Sequence, residues 1–135
     1  MAGSLSDYAE SKLLDHLMGK TSFTMPSTVY AALCTVTITD SMTGSTITEA
    51  TYTGYSRKAI AASDLNAASG GVMTNANDIV FAACTAGTST VIGVAIVDAS
   101  SAGNLLAYSD VTSKVVDTTS TPATIAAGAL SITLT

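Results

Sequence analysis

The residues that could carry out chemistry are few in this chain and lie far apart. His16 is the single histidine, and it follows Asp15 in a segment with helical periodicity. Adjacent positions on a helix do not face each other, so no Ser-His-Asp arrangement forms around it. No nucleophile elbow, phosphate-binding loop, zinc spacing or EF-hand loop is present. The sequence therefore predicts no catalytic, cofactor-binding or metal site, which argues against an enzyme.

The carboxylates give no paired acid either. Glycoside hydrolysis needs two acids across one bond, and nothing in the sequence brings Asp98 together with Asp110 or Asp117. Asp98 opens the turn 98–104, where we expect its side chain to bond its own backbone. The same interpretation applies to three other aspartates in or beside loops, Asp40, Asp64 and Asp78.

Arg57 and Lys58 are neighbours in a predicted strand, so their side chains point to opposite faces. One of them is expected to pair with an acid, within the chain or across a subunit interface. A solvated edge strand explains the pair of cations equally well. Arg57 is therefore a candidate interface residue.

Two cysteines, Cys34 and Cys84, each end an apolar run. This placement favours buried thiols that act as small hydrophobic side chains. A disulfide, within or between subunits, stays open as an alternative. Neither cysteine has a second Cys or His at ligand spacing, so a metal pair is not expected.

Composition excludes several partners. The 135 residues carry a net charge of −5, and only 11% of them are charged. An acidic chain without a basic patch is not expected to bind nucleic acid or an anionic membrane. No secretion signal and no membrane-spanning apolar stretch is visible, so synthesis in the cytosol is expected. A surface rich in Ser and Thr but poor in charge favours burial against neighbouring subunits.

The N-terminal segment predicts one amphipathic helix from Ser4 to Met18. Ser4 and Asp7 form a capping pattern, and Gly19 is a natural C-cap. Apolar side chains form a stripe made of Leu5, Ala9, Leu13, Leu14, Leu17 and Met18. So short a helix is not stable alone, so the stripe must pack on the β body or on another copy. The interface candidates on this segment are Leu5, Tyr8, Leu13 and Leu17.

The remainder predicts short strands separated by turn residues. We place them near 28–37, 54–61, 72–74, 78–84, 90–97, 104–109, 111–117 and 129–135, with a linker at 21–27 and a long loop at 40–53. Strands at this spacing are typical of a sandwich or barrel. The predicted fold is mainly β, an antiparallel, jelly-roll-like β-sandwich with one N-terminal α-helix. Residues 1–135 are expected to form one structural domain, with the helix at 4–18 and the sandwich at 28–135.

Several segments in order resemble a known family. They are the helix 5–19, Val29–Leu33, Gly54–Arg57, Ile92–Ala99, Gly103–Tyr108 and Ala127–Leu134. Together they resemble small virion proteins of tailed bacteriophages, named either head decoration (capsid cement) proteins or tail-fibre proteins. The resemblance implies a virion structural protein, made in the cytoplasm of the host bacterium.

Under this resemblance the first interpretation is a decoration protein on the outer head surface. It would bind the major capsid protein, stabilise contacts between capsid subunits and form a homo-oligomer, a dimer or trimer. The alternative is a tail-fibre module that binds a host receptor or glycan through exposed aromatics, for which Tyr52, Tyr55 and Tyr108 are candidates. A pilus subunit fits the composition, but the lack of a secretion signal argues against it.

Overall fold

The computed structural model describes residues 2–134 and confirms a mainly β chain with one N-terminal helix. The helix α1 spans Asp7–Leu17, and a short 3-10 turn spans Ala62–Asp64. Within the described residues the strands are β1 (Ala2–Leu5), β2 (Val29–Cys34), β3 (Lys58–Ile60), β4 (Val72–Thr74), β5 (Ile79–Val80), β6 (Thr88–Val97), β7 (Leu105–Asp117), β8 (Thr124–Ile125) and β9 (Ser131–Thr133).

Seven strands form one sheet in the order β3-β2-β6-β7-β1-β9-β4, and β5 pairs with β8 in a small separate ribbon. The sheet is mixed, since β1 pairs with β9 in parallel and the other neighbours are antiparallel. It curls into a half-barrel. The predicted antiparallel, jelly-roll-like sandwich is therefore wrong in detail, because the ribbon is too small to be a second full sheet.

Strand β1 was not predicted, and it displaces the start of the helix. Ser4 pairs with Tyr108 of β7, and Gly3 pairs with Ile132 of β9. The backbone of Ser4 is thus used in the sheet, and Ser6 caps the helix instead. Two serines stand close together in the sequence, and only pairing with distant strands decides between them.

The longest strands form the hairpin β6–β7. The predicted break near Asp110 is absent, because β7 runs without interruption past it. Gly93 pairs with Asp110 but Val91 pairs with Lys114, so three residues of β7, 111–113, stand opposite the single residue Ile92. Such a bulge bends the strand and increases its twist, which helps the sheet to curl.

Both faces of the sheet are covered. On one face Leu33, Val94 and Ile96 pack in a cluster with Phe81 and other side chains from the ribbon and its flanking loops. On the opposite face a second cluster contains the sheet residues Ala32, Cys34, Ala95, Val97 and Leu105 with Ile38 and Ile47. The loop after β2 therefore acts as the second layer there, a role that its Thr- and Ser-rich sequence conceals.

Candidate functional site

The N-terminal end of α1 is firmly fixed to the sheet. The Ser6 hydroxyl accepts a hydrogen bond from the Ala9 amide at 3.2 Å and donates one to the Leu105 carbonyl. The Ser6 amide bonds the Leu106 carbonyl at 3.0 Å, and the Asp7 amide bonds the Asp40 carbonyl at 3.1 Å. Ser6 is fully buried. The first turn of the helix is thus anchored by polar contacts with β7 and the loop after β2.

The apolar stripe of α1 is only partly used by the chain itself. Ala9 is buried and Leu13 is half-buried, whereas Leu14, Leu17 and Met18 are 61%, 70% and 76% exposed. These last three occupy positions i, i+3 and i+4, so they form one continuous surface on the helix. We refer to Leu14, Leu17 and Met18 as the helix patch.

The interface candidates on this segment have different environments. Leu5 is half-buried against the main core, and Tyr8 is half-buried with the Lys12 ammonium 5.8 Å from the centre of its ring. Leu17 is the most exposed of them. His16 accepts a hydrogen bond from the Phe23 amide at 3.1 Å, which holds the linker against the helix. This contact is structural and offers no partner for catalysis.

Arg57 is a charged residue whose guanidinium is enclosed and whose hydrogen-bond donors are all used within the chain. Nε and one terminal nitrogen donate to Glu49 Oε1 at 3.0 and 2.7 Å. The same terminal nitrogen donates to the Gly44 carbonyl at 2.6 Å, and the other donates to the Ala99 and Ala102 carbonyls, both at 2.8 Å. All five N–H donors of an arginine are thus satisfied inside one chain. We call this group the arginine clamp, and it leaves Arg57 no free donor for a partner subunit.

The clamp joins two loops that pack backbone to backbone. A side chain on Gly44 would place its Cβ 2.0 Å from the Ala102 carbonyl oxygen, so only glycine fits there. Ala102 has a φ of 50°, an unusual value for a residue with a side chain. Asp98 holds this turn by accepting bonds from the Asn104 amide and side chain, both at 2.7 Å. The expected turn-forming role of Asp98 is confirmed.

The three tyrosines proposed for receptor binding are not an exposed aromatic groove. Tyr52 is buried, and its ring contacts Tyr55 edge-on with centroids 5.5 Å apart. The Tyr55 hydroxyl donates to Glu49 at 2.6 Å and accepts from the Leu33 amide at 3.0 Å. Burial, together with the hydrogen bond to Glu49 and the negative charge of Glu49, raises the pKa of Tyr55, although the Leu33 amide acts in the opposite direction. Tyr108 is half-buried beside the second core cluster.

Cys34 and Cys84 are both free thiols and both buried, each in a different core cluster. Burial, together with the negative charge of Glu49, raises the pKa of Cys34 to about 12. A thiol held in its neutral form is a poor nucleophile and a poor metal ligand.

Asn75 is a buried residue that the sequence analysis missed. Its side-chain nitrogen donates to the Asn77 and Ala126 carbonyls at 2.8 and 2.9 Å, and its oxygen accepts from the Leu130 amide at 2.9 Å. It therefore joins the segment after β4 to the segment between β8 and β9. The sequence gives only a faint signal, an Asn between turn residues, because Ala126 and Leu130 lie 51 and 55 positions away.

An apolar cavity of about 390 Å³ opens beside the ribbon. Its inner wall is formed by core residues that include Phe81, Val94 and Val116. The rest of its lining comes from Val111, Thr112 and Lys114 of the β7 bulge region together with Ala123, Thr124, Ile125, Ala126 and Ala129. Its rim is formed by the exposed members of this set, Thr112, Lys114, Thr124 and Ala126. We call this feature the ribbon cavity. Its volume lies in the range typical of binding pockets.

Within residues 2–134 no group of three His, Cys, Asp or Glu side chains could hold a metal ion. In the same part of the chain, no helix has the length and apolar character that crossing a membrane requires.

Comparison with known proteins gives one family match. The family model described as podophage GP4 fiber I protein gp80 matches residues 4–133, nearly the whole chain. A search of curated proteins finds no match.

Proposed function

Because this chain belongs to the podophage GP4 fiber I protein gp80 family, we propose that it is a self-assembling module of a phage tail fibre, joined to other copies through the helix patch. The family places it among structural components of the virion and not among enzymes. Of the earlier interpretations, the family supports the tail-fibre alternative and gives no support to a capsid decoration protein.

The observation that carries the assembly proposal is the exposure of the helix patch. Leu14, Leu17 and Met18 each expose more than half of their surface on one side of a helix whose other side is already packed. Contiguous apolar surface of this kind marks interaction sites, whereas single exposed apolar residues do not. A fibre is built from repeated copies, so a second copy is the partner that this surface suits.

Self-association can be tested by measuring the mass of the purified chain in solution. The double substitution L14S/L17S should convert an oligomer to a monomer, since it removes most of the helix patch. Leu134 is 59% exposed and lies outside the helix, so Leu134→Ser is a matched control that should leave the oligomer intact. A monomeric wild-type chain, or an oligomer that survives L14S/L17S, would contradict the proposal.

The location in the virion needs a separate experiment. Antibodies against the chain, viewed on intact particles by electron microscopy, should label the fibres. Binding to the major capsid protein stays a prediction from the sequence, and label distributed over the head would revive it. Receptor binding through Tyr52 and Tyr55 is not proposed, since these rings lie in the core cluster or against it.

A further inference from the structure

We infer that the helix patch of one copy docks in the ribbon cavity of the next, so that copies join head to tail. This inference rests on the proposed self-assembly and names the surface that receives the helix. It commits to a second copy of this chain as the occupant of the cavity.

The cavity is suited to apolar side chains because it is an opening into the main core. Leu33, Phe81 and Val94 form its floor, and they belong to the buried cluster. The β7 bulge at 111–113 and the two-residue strands of the ribbon border the opening. Among the apolar lining residues Ala126 is exposed, and Val111 and Ala129 are half-buried. Covering this surface would remove apolar area from water on both partners.

Charge on the two surfaces is complementary. Helical periodicity places Asp7 and Glu10 on the same face as Leu14, Leu17 and Met18, so the exposed face is acidic in its first half and apolar in its second. The cavity rim carries Lys114, and no ion pair to Lys114 is found among the described residues. An amphipathic helix lying in an apolar groove is a common mode of recognition. Docking would bring the acidic half of the helix towards the cation on the rim.

The area of the helix patch sets how much of an interface it can form. The helix patch exposes roughly a few hundred Å² of apolar surface, which is the scale of functional patches on single chains. A stable interface buries about 800 Å² on each partner. The helix patch can therefore form the centre of the interface, and the polar residues around the cavity can form its rim.

The topology favours a contact between copies and not within one. The helix start is fixed to Leu105, Leu106 and Asp40, beside the second core cluster, whereas the cavity opens from the first cluster near 111–116. No α1 residue lines the cavity within the described part of the chain. The two surfaces are different, so the contact is heterologous and builds a closed ring or an open filament.

Two variants with opposite defects test this arrangement. L14S/L17S removes the helix patch and keeps the cavity. Ala126→Trp fills the cavity from an exposed position on its wall and keeps the helix. Each variant alone should be monomeric, and an equimolar mixture should give a one-to-one dimer, because one intact pair of surfaces remains. Mass measurement in solution reads the result, and circular dichroism shows that each variant is folded.

The outcomes separate this inference from the proposed function. If Ala126→Trp assembles like the wild type while L14S/L17S is monomeric, the helix patch has another partner surface and the inference is wrong. If the wild-type chain is monomeric, self-assembly itself fails. If the mixture stays monomeric although each variant is folded, head-to-tail docking is also excluded.

A charge exchange gives a second test that leaves the cavity open. Lys114→Glu should weaken association several-fold, and Glu10→Lys on the other copy should restore it. Lys58 is an exposed cation on β3, so Lys58→Glu is the matched control and should change nothing. If Lys114→Glu and Lys58→Glu weaken association equally, the effect comes from net charge alone. Lys114 would then not lie at the docking surface, and this part of the inference would be wrong.

Discussion

The arginine clamp encloses a charged side chain, whereas the helix patch leaves apolar side chains exposed. Arg57 is a charged residue whose side chain is 4% exposed and whose donors are all satisfied within the chain. The helix patch contains apolar residues that stay in water. The clamp stabilises the fold of a single chain. The helix patch contributes favourable free energy only when a partner covers it. Stability and assembly therefore depend on different groups of side chains.

The clamp should show the largest effect on stability. Arg57→Ala would leave Glu49 without its cation and three carbonyl groups without a donor. Breaking a buried pair in this way costs about 3–5 kcal/mol of the free energy of unfolding. Urea denaturation followed by circular dichroism measures the loss, and Lys58→Ala, on the exposed neighbour, is the control. A loss below about 1 kcal/mol would show that the clamp contributes little to the stability of the chain.

Asn75 tests whether a neutral buried group behaves like the clamp. Asn75→Ala removes the partners of the Leu130 amide and the Asn77 carbonyl and one of the two donors to the Ala126 carbonyl, which keeps its bond from the Ala129 amide. Each buried unsatisfied group costs about 1–3 kcal/mol. We expect a loss of about 2–4 kcal/mol in the same denaturation experiment. Asn77 is exposed and close by, so Asn77→Ala should cost much less. Equal losses from the two variants would contradict the structural role of Asn75.

Ser6 connects the two regions, because it fixes the helix to the sheet. Ser6→Ala removes the cap and should lower the free energy of unfolding by about 0.5–2 kcal/mol. Since the helix patch is positioned by this anchor, association should also weaken. Ser4→Ala, in β1 but exposed, serves as the control for a nearby serine. A variant that loses neither stability nor association would show that the cap is dispensable.

The helix patch should have almost no effect on the stability of the single chain. Exposed substitutions usually change the free energy of unfolding by less than about 0.5 kcal/mol. L14S/L17S measured at a concentration below that of assembly should therefore unfold like the wild type. A clear loss of stability in the monomer would mean that the patch packs on its own chain, and the contrast with the clamp would disappear.

Asp117 tests whether the number of hydrogen bonds or their burial determines how much a polar group stabilises the fold. Its carboxylate accepts four bonds from Thr119 and Ser120, nearly as many as Arg57 donates, but the residue is only half-buried beside an exposed turn. These bonds, chiefly from Thr119, hold the pKa of Asp117 below its ordinary value of 3.8. A lowered pKa in the folded state stabilises it above that value, and this contribution is lost as the pH falls through the folded pKa.

The midpoint of thermal unfolding should therefore decrease slightly more for the wild type than for Asp117→Asn between neutral pH and pH values below 3.8. Identical pH profiles would show that the exposed turn contributes nothing. A decrease as large as that expected for Arg57→Ala would overturn the view that burial decides.

The parts of the fold that follow a local pattern could be predicted from the sequence. Helix α1 follows from its apolar period and Gly19, and β6 follows from its continuous apolar run. The alternation at the C-terminus predicts β9, although the structure assigns only Ser131–Thr133 to it. These signals lie within a few neighbouring residues, and tertiary pairing only trims their ends.

The parts that were missed depend on distant partners. β1 is a strand only because β7 and β9 border it, and four residues at the start of a helical pattern give no sign of this. The sequence left the acid partner of Arg57 open, within the chain or across an interface, because its spacing to Lys58 says nothing about Glu49 or the 98–104 turn. The exposure of the helix patch depends on where the helix crosses the sheet, which the apolar stripe alone does not specify.

The position of β1 has a consequence for biosynthesis. Ser4 pairs with Tyr108 and Gly3 with Ile132, so the first strand has no neighbour until β7 has left the ribosome and lacks its second neighbour until β9 has followed. Pairings so far apart in sequence are slow to form, since a long loop must close before any contact rewards it. Ser6 gains its bond to Leu105 at the same late stage. The helix can therefore take its final position on the sheet only after β7 has been made, about 100 residues after the helix itself.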